Sequence, residues 1–379
     1  MNILYIGTPY SIHDIKWMSF FSIQAGFKVY ITCEHQHAEK ISDELMLELK
    51  EKQITVIPSF NDYSFKTPLK NKATRKFIQN SINELKIDIV HALFGSPQPI
   101  WLNGLKGVKT VITTRGSDVL LAIPELNQCM IKVHFKYLFQ QMKKAYNNAD
   151  LVTCTSIPQK EKLYELGFRK EIKFVKTGID VDTIRNINSL SFLPKELVGE
   201  NIVFSPRYMT PVYNVEYQIE AINKLPQKFL EKVKFVFIKG RNTDQAYYDS
   251  LLVQLDKVAH LNYKVYEQVS QNEIWSILKY SKVALMVPKS DGTPNSALEC
   301  MAVNTPLIMG DLNYDEQLFN GVCLTAKLND PSSLAKCIQE SILDYPDNLL
   351  KEGQIKVEEF GNRFVEMTKL QDAYKALLK

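Results

Sequence analysis

One pattern recurs along this chain and constrains its fold more than any other. A short apolar segment ends in a polar, often glycine-containing turn, and a segment of helical period follows. The opening residues show it. Residues 2–7 read as a buried strand ending at Gly7, followed by a loop at 8–14, a helix from 15 to Gly26, and a strand at 27–32. The same beat predicts strands at 54–58, 87–92, 108–113, 151–155 and 172–175, with helices at 39–52, 70–86, 127–148 and 158–166. Strands separated by helices pair in parallel, which predicts a doubly wound α/β sheet with ligands beyond the carboxyl ends of its strands. The dinucleotide fingerprint GxGxxG is absent.

Residues 183–200 lack a regular pattern and read as a linker. A second series then begins, with strands at 202–205, 233–239, 262–265, 283–287, 306–309 and 321–324. Helices at 215–224, 243–258, 271–280 and 332–343 alternate with them, and 347–378 reads as helical with a weak break at Gly361. The expected organisation is a first domain over 1–185 and a second over 200–355. Two such domains facing a central cleft would line it with strand ends.

Composition places the chain among ordinary globular proteins, with 45% hydrophobic and 23% charged residues. No apolar run is long enough to span a membrane, and the first residues enter a strand without a signal-peptide pattern. Six cysteines without CxxC pairing suggest reduced thiols, a cytoplasmic setting and no zinc site. Net charge is +4, but residues 1–190 hold 25 Lys and Arg against 18 Asp and Glu. A basic first half suits peripheral contact with an anionic membrane. So do the basic-aromatic stretches 65–77 and 131–146, although the same pattern describes helices with aromatics in the core. Nothing resembles a nucleic-acid-binding module.

The most informative stretch is Val287–Ala302, VPKSDGTPNSALECMA. An apolar strand runs into Ser290-Asp291-Gly292-Thr293, and a helix follows. Thr293 is the expected N-cap and Pro294 the first helical residue. The free amides of Asn295 and Ser296 would make an anion site at the positive helix end. Asp291 and Glu299 flank it with carboxylates suited to vicinal hydroxyls. Other polar residues at strand ends are Gly7, His91, Arg115 and Asp118 in the first half, and Arg207 and Lys239 in the second.

With VHALFG, TTRGSDV, KTGIDVD and SPR in this order before SDGTPNSALECMA, the chain resembles the retaining glycosyltransferases of family 4, which have the GT-B fold. The resemblance covers nearly the whole chain, and it implies that the last helix, 362–379, returns to pack on the first domain. It implies transfer of a hexose-type sugar from a nucleotide sugar, UDP-linked and without a metal cofactor, to a glycan or lipid-linked acceptor in surface polysaccharide synthesis. Arg207, Asp291 and His91 would be catalytic. Lys239, Val269, Gly292, Thr293, Asn295, Ser296 and Glu299 would bind the donor. Gly7, His13, Arg115 and Asp118 would face the acceptor. Three departures stand out. Asp291 replaces the usual Glu, and Arg115 stands where many members have His. Val212 and Tyr213 occupy the region of a usual Lys, a charge that Lys239 is expected to replace. Asp180 and Asp182 form a DxD pattern, a metal site in another transferase fold, though local capping is the commoner role of such carboxylates. The competing functions are a nucleotide-sugar epimerase of the same fold and a nucleotide-binding subunit without transfer activity.

Overall fold

The computed structural model describes residues 1–64, 68–116, 118–128, 133–240 and 243–379. The chain divides into two units: Met1–Thr177 with Glu366–Lys379, and Gly178–Val365.

The first unit carries seven parallel strands: β1 (Asn2–Ile6), β2 (Lys28–Thr32), β3 (Ile54–Val56), β4 (Ile89–Ala92), β5 (Lys109–Thr113), β6 (Leu151–Cys154) and β7 (Ile172–Phe174). Their order is β3-β2-β1-β4-β5-β6-β7. The order reverses between β1 and β4, where the chain crosses over in opposite directions and opens a crevice at the carboxyl ends. Both faces of the sheet are covered, so alternate residues of β1 feed separate cores. Leu4 and Ile6 pack on one side, and Ile3 and Tyr5 on the other. The last helix, Arg363–Leu377, adds Met367, Leu370 and Tyr374 to the second of these cores. Their spacing of three and four residues makes one helical stripe.

The second unit has six parallel strands: β8 (Ile202–Tyr208), β9 (Lys234–Ile238), β10 (Tyr263–Tyr266), β11 (Ser281–Met286), β12 (Leu307–Gly310) and β13 (Leu324–Ala326). Their order is β10-β9-β8-β11-β12-β13, with the reversal between β8 and β11. Each half is thus a doubly wound, Rossmann-like sheet.

Several local expectations shift. Residues 183–200 do not form an irregular linker. They make the short helices Val181–Asn186 and Ser189–Phe192 and a turn at Lys195–Leu197. Val181, Ile184, Leu193 and Leu197 are buried in the core of the second unit, so the chain divides at 177/178. The break expected at Gly361 is present: Asp347–Lys356 and Arg363–Leu377 are two helices separated by a wider turn at Val357–Gly361. Asp180 is a helix cap, accepting from the Thr183 amide at 3.1 Å and pairing with Arg363 at 3.4 Å. Among the described residues, no group of three or more His, Cys, Asp or Glu is placed to hold a metal ion. Phe65, Cys129, Ile131 and Lys132 lie outside the described residues. Within the second basic-aromatic stretch, Phe139, Met142 and Tyr146 are core residues, while Tyr137 is 45% exposed.

Candidate donor site and the strand ends of the first unit

In the second unit the polar groups converge at the switch point. β8 carries Arg207, and the adjacent β11 runs into the loop at 287–294. The following helix is Asn295–Ala302, and its N-cap position is Pro294, one residue later than expected. Thr293 is not the cap. Its Oγ1 is buried without a described partner, and its amide instead bonds to Asp291. Asp291 Oδ1 also accepts from the Gly292 amide at 2.8 Å, so a carboxylate closes this turn before the helix starts. The amides of Ala297 and Leu298 fold back to the Pro294 carbonyl. Among the described residues, those of Asn295 and Ser296 donate to no acceptor, as the first two groups of an uncapped helix must.

Arg207 reaches this helix start. Its Nη1 is 3.4 Å from Ser296 Oγ, and its Nη2 is 3.5 Å from Asp291 Oδ2. Tyr213 positions the guanidinium: the ring lies 4.1 Å beneath it, and the hydroxyl accepts from Nη2 at 2.5 Å. Burial pushes the Asp291 pKa up, while Arg207 and the two loop amides pull it down. The Tyr314 hydroxyl is buried without a described partner and is electrostatically coupled to Asp291 and Arg207. Glu299, a turn further in and 7% exposed, accepts from Gln271 Nε2 at 3.1 Å. Val269 packs on the core just before Gln271. Lys239 is drawn elsewhere. Its ammonium is 3.0 Å from Glu267 and 4.5 Å over the Tyr248 ring, so a carboxylate already neutralises it.

In the first unit most of the expected ligands turn out to hold the loops. His91 is fully buried in β4. Its Nδ1 is 2.5 Å from the Tyr374 hydroxyl and its Nε2 is 2.7 Å from Thr113 Oγ1. Both ring nitrogens are occupied inside the core, which corrects its catalytic assignment. Asp118 is also fully buried. Its carboxylate accepts from the amides of Gly95 at 2.6 Å, Arg115 at 3.0 Å, Gly116 at 2.8 Å and Val119 at 3.0 Å. Those bonds tie the loop after β4 to the loop after β5 and leave little for an acceptor. Arg115 Nη1 pairs with Asp14 Oδ1 at 2.6 Å, and its guanidinium lies 5.6 Å over Trp17. Asp14 Oδ2 accepts from the Thr8 amide at 2.7 Å. A Cβ on Gly7 would come within 2.6 Å of that same oxygen, so the close approach itself calls for glycine. His13 is exposed in the first turn of the helix Ile12–Ser22.

Residues 189–352 match the family described as glycosyl transferases group 1, and residues 23–183 match glycosyltransferase family 4. The chain is a glycosyltransferase. Solved structures share the fold at low identity. A glycosyltransferase from Rickettsia africae superposes with a TM-score of 0.77 at 16% identity, over 100% of this chain and 98% of that one. HepE of Anabaena in complex with UDP gives 0.74 at 14% identity, over 99% and 100%. The sucrose-phosphate synthase of Thermosynechococcus elongatus gives 0.68 at 14%, over 100% and 99%. No curated protein matches in sequence. These likenesses establish the GT-B fold for this glycosyltransferase.

Sequence reasoning missed several residues of the glycosyltransferase: Tyr213, Tyr314 and Gln271 in the second unit, and Asp14 and Trp17 in the first. Gln271, Asp14 and Trp17 act by touching residues far away in sequence, which no spacing rule covers, whereas Tyr213 lies close to Arg207 in the chain and was read only as standing where a Lys is usual. For His91 a signal existed. A strand buried on both faces offers no solvent-facing position to a residue inside it. The burial has a consequence in pH. Desolvation, and then the charge of Arg115, hold the His91 pKa well below 6.5. The unfolded chain takes up this proton at about pH 6.5 and the folded one does not. Below that pH the unfolded state therefore binds more protons, and stability falls by up to about 1.4 kcal/mol per pH unit from this group. Urea midpoints of the first unit should decline between about pH 7 and about pH 5.5, and His91→Asn should flatten that decline. A midpoint that stays constant would contradict the assignment.

Proposed function

We propose that the second unit binds a UDP-linked hexose and that the enzyme transfers this sugar, with retention and without a metal, to a glycan or lipid-linked acceptor. The observation that carries the reading is the convergence of Arg207, Asp291 and Ser296 on an uncapped helix start. Arg207 and the amides of Asn295 and Ser296 would grip the diphosphate. Asp291 would accept from hydroxyls of the sugar, and Glu299, held by Gln271, from those of the ribose. At 3.5 Å the Arg207–Asp291 pair is looser than a good hydrogen bond, so the guanidinium keeps its capacity for phosphate oxygens. Structures of HepE with UDP and with UDP-glucose show a protein of this fold taking such a donor.

In the proposed step the bond between the anomeric carbon and the diphosphate oxygen breaks, and its electrons leave with UDP. The acceptor oxygen bonds to the same face, and its proton passes to the departing phosphate. Fixed donors stabilise the charge that builds on the leaving group.

A melting panel of UDP-, GDP-, ADP- and CMP-sugars tests the donor. UDP-hexose at a hundredfold excess over its Kd should add about 2.7 kcal/mol of stability. Proton NMR of the product should show the donor's anomeric configuration, with turnover unchanged by chelator. Inverted product, or activity abolished by chelator and restored by metal, would overturn the mechanism. An epimer formed without acceptor would replace the transfer reading. Nucleotide binding with no transfer would favour a role in binding alone.

A further inference from the structure

The turn after β8 sets a hydroxyl beside the charge of Arg207. Pro211–Tyr213 makes one short turn, closed by the Tyr213 amide on the Thr210 carbonyl at 2.9 Å. Asn214 then takes a left-handed conformation, with φ 57°, and the helix Val215–Ile222 begins. The Lys289 amide donates to the Val212 carbonyl at 2.8 Å, which ties this turn to the loop that carries Asp291. Gln218 Nε2 donates to the Tyr213 carbonyl at 3.4 Å. The Tyr213 backbone is thus held at both its amide and its carbonyl, while its side chain stays partly exposed. The Arg207 side chain beside it is 22% exposed, so the pair opens to solvent.

The Tyr213 hydroxyl has a hydrogen still to give. Its oxygen accepts from Arg207 Nη2, and among the described residues its O–H donates to no acceptor. A guanidinium carries donors only, so Arg207 cannot take that hydrogen. The cluster around it is rich in donors: Arg207 Nη1 reaches Ser296 Oγ at 3.4 Å, where the amides of Asn295 and Ser296 are also free. The lysines of this region are drawn to carboxylates instead. Lys239 lies 3.0 Å from Glu267, and the Lys289 ammonium leans toward Glu216 at 3.9 Å. A cation and a neutral O–H side by side match two neighbouring anionic oxygens, which a diphosphate presents.

We infer, resting on the donor reading proposed above, that Tyr213 is a second side-chain ligand of the leaving diphosphate. Its O–H donates to one phosphate oxygen, while its ring and its lone pair hold Arg207 for another. The phenol keeps its proton throughout. As the bond to the anomeric carbon breaks, charge grows on the diphosphate and the hydrogen bond from Tyr213 strengthens with it. A bond to an ionised acceptor is roughly twice as strong as one between neutral groups, so the hydroxyl contributes to the binding of UDP as well as to its departure.

Tyr213→Phe is the test, because it keeps the ring beneath the guanidinium and removes the hydroxyl alone. The full-length variant should melt with the wild type. In titrations with UDP followed by ligand-observed NMR, which reads weak binding, its Kd should rise by about tenfold or more. The Kd for uridine, which has no phosphate, should not change. A hydroxyl that only steadied Arg207 would lose its effect once that side chain is gone. The substitution is therefore repeated in Arg207→Ala, where it should still weaken UDP binding severalfold. Unchanged UDP affinity in Tyr213→Phe, an equal loss for uridine, or a loss that vanishes in the Arg207→Ala background would overturn this role for Tyr213 and leave the donor reading standing. A wild type that binds no UDP would overturn the donor reading itself.

Discussion

Replacing Arg207 with alanine is expected to lower kcat by about 10²–10³, the usual loss when one fixed charge donor is removed from a leaving group. The residue sits where the diphosphate would gather charge, between Asp291 and the start of the helix Asn295–Ala302. A contact that strengthens only as the bond breaks lowers kcat and kcat/KM together. The substitution also leaves Asp291, already shifted upward by burial, without its neighbouring cation. The fold should survive, because the guanidinium is held by Tyr213, Ser296 and Asp291 beyond the carboxyl end of β8 and not within the core. Arg207→Lys should fall between, keeping the charge but losing the planar fork and its stacking on Tyr213. Steady-state kinetics with UDP-hexose, alongside a thermal melt, decides it. Near-normal turnover in Arg207→Ala would remove this residue from the reacting centre.

The largest expected effect on stability lies in the first unit, at Tyr374. Its ring is fully buried between Phe21, at 5.2 Å between centroids, and His91, while its hydroxyl reaches His91 and Tyr5. Truncation to alanine should cost about 3–5 kcal/mol, as for other large aromatic core residues. At about 2–4 °C per kcal/mol for a unit of this size, the first unit should melt roughly 6–20 °C lower. Tyr374→Phe separates packing from hydrogen bonding. It keeps the ring, leaves His91 Nδ1 unpaired, and should cost about 1–3 kcal/mol. Calorimetry of the two variants measures both terms. A loss below about 1 kcal/mol in Tyr374→Ala would show that the last helix is not integral to this core.

Much of the architecture was legible because it rests on local pattern. Apolar segments alternating with helical ones leave few options beyond parallel sheets covered on both faces, and both sheets formed with the order such crossovers favour. The turn at 291–296 was legible for the same reason, since a strand, a Gly-Thr-Pro turn and a helix are specified by neighbours in sequence. Even there the N-cap moved by one residue. Asp291 closes the turn by bonding the Gly292 and Thr293 amides, and no propensity rule weighs that against Thr293.

From the sequence alone came two parallel α/β units and a strand–turn–helix that leaves free amides at the start of one helix, because period and turn chemistry are properties of adjacent residues. Which partner each strand-end polar group meets was decided only by the tertiary structure. His91 is sealed by Tyr374, 283 positions away, Asp14 by Arg115, 101 away, and Arg207 meets Ser296 across 89. A polar side chain at a strand end serves a ligand or the fold according to whether a distant partner reaches it first. That contact depends on packing in three dimensions, which no local window of residues contains.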